Sequence, residues 1–314
     1  MRNLSTNMGL KIHIILLFAC SVLFCFFIPT STVNAATNYQ EGAWIGTWPS
    51  SVTDNVYAFN TKTDSKMQVV NTFVNTNQNL DQFGSTINYV DSKNAINMLT
   101  LEPFGLTTVD INNGVLDAYF EKLAEQLKGW KGGKEIWIRY LHEGNANYYS
   151  WCIGDSKINT NDSYKKAFQK TVDIFRKKGA TNVKWIYNVN AENVGVGASY
   201  TLAYPGNDYV DFVSIDGYNW GNSQSWSSWK WFRQIFDKAY YSLNRYNKPT
   251  IIAEFASAEV GGDKATWIKN AYEQMDSGCY PLLKAAVWFN EKKELDWTID
   301  STEASLKAFQ NRHK

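Results

Sequence analysis

The sequence of 314 residues predicts a (β/α)8 barrel, as a single domain that follows a signal peptide. Eight short runs rich in apolar, β-branched and aromatic residues alternate with amphipathic stretches of helical period. Polar side chains gather directly after these runs, at the end of a barrel where active sites are built. A doubly wound sheet is the structural alternative, but nothing in the sequence resembles its Gly-rich first turn.

The first 35 residues predict a secretory signal peptide that is not part of the fold. A positively charged start precedes a mostly apolar segment at 12–28, and the small residues at 33–35 suit a signal peptidase. We expect cleavage after Ala35, a mature domain of residues 36–314 and secretion to the extracellular space. An uncleaved membrane anchor is the alternative, because the apolar segment is close to the shortest length that spans a membrane.

Within the mature chain, each apolar run predicts a strand and each amphipathic stretch a helix. The predicted strands cover residues 43–48, 67–74, 96–101, 136–141, 183–187, 212–215, 250–253 and 285–289. The predicted helices cover residues 114–128, 163–178, 229–243, 264–275 and 302–309. Gly179 is a stop signal for the second of these helices. We expect one domain, because no linker rich in Gly, Ser or Pro and no internal repeat interrupts this stretch.

The composition narrows the choice of partners. The net charge is +1 and no basic block is present, which argues against nucleic acid and anionic membranes. The 13 tryptophans and 18 tyrosines either fill the core or offer flat ring faces on which sugars stack. Composition alone leaves both possibilities open, core packing and a polysaccharide partner. We expect a monomer that has no contact with a membrane after processing.

Histidine and cysteine are too few for most other chemistries. After position 35 the sequence has two histidines, His142 and His313. This number argues against a zinc site built on histidine, and a Ser-His-Asp system would have to use His142. Cys152 and Cys279 are the cysteines, and we expect them to stay unpaired. A Cys152–His142 pair remains an alternative nucleophile. Otherwise the sequence predicts carboxylate chemistry, with no metal and no cofactor.

Two glutamates follow strands that lie across the barrel from each other. Glu143 follows the fourth predicted strand and Glu254 the seventh. An acid and a nucleophile held across one bond are the groups that a barrel hydrolase needs. Because side chains alternate along a strand, we expect Arg139, Leu141 and Glu143 on one face, with Arg139 as a buried charge that has an acidic partner.

Other side chains near strand ends are candidates for binding sugar. Trp151 and Trp220 lie on loops after the fourth and sixth strands, and Asn188 and Asn190 end the fifth. Trp48 ends the first strand and is a further candidate platform. Trp44, Trp137 and Trp185 lie within strands and are expected to pack. Glu102, Glu192 and Glu259 lie near strand ends but outside the fourth and seventh positions.

Three segments resemble glycoside hydrolase family 26. They are the ten residues from His142 to Trp151, the stretch 204–221 with Asp216-Gly217-Tyr218-Asn219-Trp220, and Ala253-Glu254-Phe255. The resemblance implies that Glu143 is the general acid/base and Glu254 the nucleophile of a double displacement with retention. Glu143 would then need a raised pKa, from partial burial and the charge of Glu254.

The resemblance also implies roles in substrate binding. By likeness to the family, Tyr218 would hydrogen-bond the nucleophile, His142 would contact substrate or nucleophile, and Trp288 would form the floor under the sugar at the cleavage site. Core packing is the alternative for each of them. A non-catalytic carbohydrate-binding barrel and a transglycosylase that uses the same two carboxylates remain alternatives to the hydrolase.

The substrate expected from the resemblance is mixed-linkage β-1,3-1,4-glucan. Segments 189–190, 216–221 and 254–259 look more like the lichenase-type members of the family than like its mannanases. Ala146 and Tyr148 stand where the family's mannanases usually have glycine and tryptophan. An endo-β-1,4-mannanase is the first alternative and a xylanase the second.

Overall fold

Eight parallel strands close into a barrel in chain order in the computed structural model, which describes residues 38–46, 52–77 and 83–314. The last strand pairs with the first in register, from Gln40 opposite Ala285 to Trp44 opposite Phe289. The predicted (β/α)8 barrel is confirmed. The signal peptide, its cleavage site and Trp48 lie outside the described residues and stay predictions.

The strands and helices alternate around the barrel. The strands are β1 (Gln40–Trp44), β2 (Val69–Asn75), β3 (Ile96–Glu102), β4 (Ile136–Tyr140), β5 (Val183–Asn190), β6 (Phe212–Asn219), β7 (Thr250–Ser257) and β8 (Leu283–Phe289). The helices are α1 (Val52–Thr63), α2 (Gly84–Ser92), α3 (Thr108–Asn112), α4 (Asp117–Leu127), α5 (Trp130–Gly133), α6 (Asn161–Lys178), α7 (Phe232–Leu243), α8 (Lys264–Asp276) and α9 (Glu303–Gln310).

The helix between β4 and β5 shows how sequence sets the element ends. Thr160 and Ser163 form a reciprocal capping box at the start of α6, which satisfies backbone donors of the first turn. Gly179 ends α6 with a φ of 79°, a left-handed conformation that glycine adopts without cost, so its predicted stop is confirmed. Among the described residues, no helix has the length and apolar character to cross a membrane.

The barrel interior is built in layers. A buried cluster that is separate from the main core takes one or two apolar side chains from seven strands, including Val69, Met98, Trp137 and Ile186. Trp137 packs on Phe212 with ring centroids 4.7 Å apart. Two residues further along the strands, the side chains become polar, because the period of a strand is two and each step of two moves one layer towards the C-terminal end.

The second layer is a hydrogen-bonded polar network. Arg139 Nε donates to Thr100 Oγ1 over 2.9 Å, and Thr100 Oγ1 donates to Asn71 Oδ1 over 2.8 Å. All three side chains are buried. Strands β5, β6 and β7 extend past their predicted ends because such polar pairs continue the sheet where the apolar runs stop. Glu254 consequently lies inside β7 and not at its end.

Candidate active site

A cavity of about 850 Å³ opens at the C-terminal ends of the strands. Its volume is in the upper part of the range for ligand-binding pockets. The carboxyl groups of Glu102, Glu143 and Glu254 line it together. Aromatic side chains form much of the remaining wall: Trp44, Phe73, Phe104, Tyr148, Tyr149, Tyr218, Trp220, Trp226, Phe289 and Trp297. The cavity therefore combines titratable groups with flat apolar surfaces.

The chain leaves β4 through a tight, strained turn that presents Glu143. Strand β4 ends at Tyr140, and Leu141 and Glu143 have φ values of 53° and 52°, in the left-handed region that non-glycine residues rarely adopt. The predicted strand alternation therefore fails here, and Glu143 lies on a loop. The Tyr164 hydroxyl donates to the carbonyl of Leu141 over 2.6 Å. A Cβ on Gly144 would come within 2.4 Å of the Tyr164 ring, so only glycine fits there.

Three further side chains fix the backbone of this turn. Trp151 Nε1 donates to the carbonyl of His142 over 2.8 Å, and the thiol of Cys152 donates to the carbonyl of Glu143 over 3.3 Å. Asn188 Oδ1 accepts from the Glu143 amide over 2.7 Å. Cys152 is a free, buried thiol whose pKa burial raises to about 12, which argues against its use as a nucleophile.

The carboxyl group of Glu143 is buried and has a raised pKa. Burial raises the pKa of Glu143 to about 7, and the negative charge of Glu254 acts in the same direction. Hydrogen bonds from Asn190 and Tyr148 partly oppose this shift. Asn190 Nδ2 donates to Glu143 Oε1 over 2.6 Å. A substantial fraction of Glu143 is therefore protonated near neutral pH, as a proton donor must be.

The carboxylate of Glu254 is hydrogen-bonded through both oxygens. Arg139 Nη2 donates to Oε1 and the Tyr218 hydroxyl donates to Oε2. Arg139 is fully buried and also donates through Nη1 to Asp216 Oδ2 over 2.6 Å. The prediction that Arg139 is a buried charge with an acidic partner is confirmed, and one of its two partners is the candidate nucleophile.

A continuous set of hydrogen bonds joins the backbone amide of Glu143 to the carboxylate of Glu254. The pairing of β6 with β7 shifts register so that Asp216 lies opposite Glu254. Asn188, which holds the amide of Glu143, donates through Nδ2 to Asp216 Oδ1 over 2.9 Å. Burial holds the pKa of Asp216 above its usual value, while Arg139 opposes that shift. The backbone of Glu143 and the carboxylate of Glu254 are thus positioned by one buried network.

Comparison with known proteins identifies the family. A model described as "Glycosyl hydrolase family 26" matches residues 51–280. The chain belongs to this family. Endoglucanase H from Acetivibrio thermocellus is 48% identical over 278 residues, which make up 88% of this chain and 30% of that protein. The chain therefore spans less than a third of that relative's length. Family membership and this relative support a glycosidase.

Solved structures of family 26 share the fold. The catalytic domain of an endo-β-1,4-mannanase from Bacillus sp. JAMB-750 is 15% identical with a TM-score of 0.68, covering 88% of this chain and 85% of that one. A β-mannanase from Bacteroides ovatus is 18% identical with a TM-score of 0.66, covering 88% and 89%. At these identities the similarity concerns the fold alone.

Several predicted family 26 site residues line the cavity and others do not. Of the described residues, Tyr218, Trp220 and Asn190 line it together with the two glutamates. Trp151 and Trp288 are fully buried and are not part of its wall. The Trp288 indole donates to the carbonyl of Trp297 over 3.0 Å. The predicted sugar contacts of Trp151 and Trp288 are therefore corrected, because packing and hydrogen bonding to backbone carbonyls occupy both rings.

Asn188 and His142 are also held beneath the cavity wall. Asn188 is fully buried, and its amide is used by the network that holds Glu143, so it does not reach hydroxyls of a substrate. His142 is 1% exposed and packs against Tyr149 and Trp151, with ring centroids 4.7 Å and 5.5 Å away. Burial lowers the pKa of His142 well below its usual value, so the ring is neutral. Neither residue therefore makes its predicted contact with sugar. Both instead support the loop that carries Glu143.

Glu102, Trp44, Trp226 and Trp297 are among the cavity residues that sequence reasoning missed or set aside. Glu102 lines the cavity, and burial raises its pKa to about 7. Trp44 was expected to pack, yet it lines the cavity, and its indole donates to Glu291 over 2.7 Å. Trp226 and Trp297 lie on loops after β6 and β8. Four tryptophans within 220–231 were the available sequence signal for Trp226.

Proposed function

We propose that the chain is a retaining endo-β-glucanase that hydrolyses mixed-linkage β-1,3-1,4-glucan, with Glu143 as general acid/base and Glu254 as nucleophile. The observation that carries the proposal is the contrast between two carboxyl groups in one cavity. Glu143 has a pKa raised to about 7, whereas Glu254 accepts hydrogen bonds from Arg139 and Tyr218 through both oxygens. A carboxyl group with a raised pKa beside one that accepts hydrogen bonds through both oxygens supports these two roles.

In the first step, a carboxylate oxygen of Glu254 attacks the anomeric carbon of the sugar. The bond from that carbon to the glycosidic oxygen breaks, and the oxygen takes the proton of Glu143. The products are an ester between the sugar and Glu254 and a free chain end. The hydrogen bond from Tyr218 orients one oxygen of Glu254, and Arg139 fixes the other, so the attacking group is held before substrate arrives.

In the second step, water opens the ester. Glu143, now ionised, removes a proton from the water, whose oxygen attacks the anomeric carbon and displaces Glu254 as a carboxylate. The negative charge of Glu254 raises the pKa of Glu143 in the free enzyme. Because the ester has no such charge, the pKa of Glu143 falls in the intermediate, which suits a general base. Two inversions at one carbon give retention.

The choice of glucan rests on sequence similarity. The 48% identical relative is an endoglucanase by name, whereas the mannanases among the solved structures are 15–19% identical and speak for the fold alone. Tyr148, which stands where family mannanases usually have tryptophan, hydrogen-bonds Glu143 at the cavity. An endo-β-1,4-mannanase is the second candidate. We also propose that the enzyme acts outside the cell, and N-terminal sequencing of protein from culture medium should begin at Ala36.

A substrate panel tests the specificity. Release of reducing ends is measured on barley β-glucan, lichenan, carboxymethylcellulose, mannan and xylan. We expect the first two to be cleaved fastest. Cleavage of mannan without cleavage of barley β-glucan would refute the glucan proposal and favour the mannanase. Binding of barley β-glucan without any release would favour a carbohydrate-binding barrel, and longer products than the substrate would indicate transglycosylation.

Three matched variants test the two roles. We expect Glu143→Ala and Glu254→Ala to lower kcat on β-glucan by at least about 100-fold, because a positioned general acid contributes about 100- to 10,000-fold and loss of the nucleophile removes the covalent route. Glu102→Ala is the control, because Glu102 lines the same cavity with a similar pKa. With an aryl glycoside, azide should give the β-glycosyl azide from Glu143→Ala and the α-glycosyl azide from Glu254→Ala. The same azide anomer from both variants would contradict the assignment.

A further inference from the structure

The loop between β6 and α7 exposes a large aromatic ring at the cavity. Among the described residues, Trp226 is the most exposed tryptophan, with 69% of its surface open to solvent. It lines the same cavity as Glu143 and Glu254. Placing an indole ring in water forgoes the favourable burial that such a ring provides in a core. An exposed indole at a cavity wall therefore indicates a surface that is covered when a ligand binds.

Trp226 is the outer end of a row of aromatic rings that starts at the candidate nucleophile. Tyr218, which donates to Glu254, lies 6.3 Å from Trp220 between ring centroids. Trp220 meets Trp226 edge-on at 5.4 Å and Trp297 at 4.9 Å. All of these rings line the cavity. The row leads away from the point of cleavage along the wall of one continuous pocket.

The loop that carries Trp226 is fixed at both ends. Ser227 Oγ donates to the carbonyl of Gly221 over 2.8 Å. The backbone of Lys230 donates to Asn219 Oδ1 over 2.9 Å and accepts from the indole of Trp267 over 2.9 Å. These bonds fix the backbone of the loop before a ligand binds, and the Trp226 ring packs against Trp220, which reduces the entropy lost on binding.

We propose that Trp226 forms an outer sugar-binding subsite, on which a ring of the glucan chain stacks at least one position away from the bond that is cleaved. The apolar C–H face of a β-linked glucose ring is complementary to a flat indole, and Lys230 with its partner Glu192, 2.5 Å apart at the same cavity, offers charged groups to the hydroxyls. The inference rests on the proposed action on a polysaccharide. It adds a subsite to the roles of Glu143 and Glu254.

The test separates binding of a long chain from the chemistry of cleavage. We expect Trp226→Ala to raise KM on barley β-glucan about tenfold, equal to about 1.4 kcal/mol, with kcat changed less than twofold. Trp226→Phe should recover most of the loss. On an aryl glycoside with a single sugar ring, Trp226→Ala should equal the wild type, because that substrate does not reach the subsite. Trp231→Ala is the matched control: Trp231 is 40% exposed on the same loop and is not in the cavity wall.

The outcomes also separate this inference from the proposed function. If the wild type cleaves mannan and not β-glucan, the glucan proposal fails, and the Trp226 comparison is made on mannan. If the wild type cleaves neither, mobility of wild type and Trp226→Ala in gels that contain each polysaccharide replaces KM. An unchanged KM or mobility in Trp226→Ala, an equal change in Trp231→Ala, or an equal loss on the aryl glycoside would overturn the subsite.

Discussion

Replacing Tyr148 by phenylalanine should move the pH dependence of activity to higher pH. The Tyr148 hydroxyl hydrogen-bonds the carboxyl group of Glu143 and accepts from Asn190 Nδ2 over 2.9 Å. Its bond to Glu143 lowers the pKa of that group, which burial and the charge of Glu254 have raised to about 7. Removing the hydroxyl leaves the bond from Asn190 in place and lets the pKa of Glu143 rise further.

The size of the shift follows from the strength of one hydrogen bond. A hydrogen bond to a charged group contributes about 1.5–3 kcal/mol when buried. Tyr148 is 52% exposed, so solvent reduces the contribution. We take about 0.5–1 kcal/mol, which at 1.36 kcal/mol per pKa unit gives a rise of about 0.4–0.7 units. At pH 8, this rise makes the protonated fraction of Glu143 roughly two to four times larger.

The assay is kcat/KM on β-glucan between pH 5 and pH 9, because its alkaline limb reports the acid of the free enzyme. We expect the limb of Tyr148→Phe to lie about 0.4–0.7 units above that of the wild type, even if the maximum is lower. Tyr149→Phe is the matched control: the neighbouring ring stacks on Trp151 at 4.6 Å and lines the same cavity. An alkaline limb that stays in place or moves down in Tyr148→Phe, or moves equally in Tyr149→Phe, would refute the reasoning.

Three further predictions concern charges that the fold buries. Arg139→Lys should lower kcat/KM roughly 10- to 100-fold, because lysine cannot hold Asp216 and Glu254 at once. Arg233→Lys is the control and should leave kcat/KM unchanged, because Arg233 forms a partly exposed pair with Asp237. Lys264→Met should cost about 1–3 kcal/mol of unfolding free energy and raise KM. The buried Lys264 ammonium donates to the carbonyl of Thr298 over 2.7 Å and to Ser301 over 2.8 Å, and Thr298 follows Trp297 of the cavity wall. Burial lowers the pKa of His313, but hydrogen bonds to Asp276 and Glu41 outweigh burial and raise the pKa from 6.5 to about 9. Its contribution to stability is therefore complete below about pH 6.5 and is lost as the pH rises through about 9; urea unfolding should show about 1–2 kcal/mol of pH-dependent stability in this window that His313→Gln lacks.

The barrel was predictable because its signals are local. Each buried strand of a parallel barrel is an apolar run, and each covering helix repeats its apolar side chains at 3.6 residues, so the order of elements can be read without tertiary contacts. The ends of β5, β6 and β7 were not predictable in this way. They extend through polar residues such as Asn188 and Asp216, whose partners lie on other strands.

Within the site, position along the chain predicted that Glu143, Glu254 and Trp220 line the cavity, but it failed for two other tryptophans. Trp288 and Trp151 lie near or after strand ends, as sugar platforms often do, yet the indole N–H of each donates to a backbone carbonyl inside the protein. Trp226 and Trp297 lie on loops whose course depends on contacts such as those of Lys264 and Trp267. Whether a ring faces the cavity or the core is decided by these contacts, and sequence spacing does not contain them.

The buried charge of Arg139 gives the proposed mechanism a further physical consequence. In the free enzyme Arg139 lowers the pKa of Glu143, but burial and the charge of Glu254 outweigh it. When Glu254 becomes an ester, its charge is lost while Arg139 keeps its own, because an arginine does not deprotonate in a protein. The balance at Glu143 then shifts towards ionisation. The residue that holds the proposed nucleophile thus also favours the change of Glu143 from acid to base. Because lysine keeps a positive charge and glutamine does not, we expect Arg139→Gln to accumulate more glycosyl-enzyme than Arg139→Lys, measured by mass spectrometry with an activated aryl glycoside.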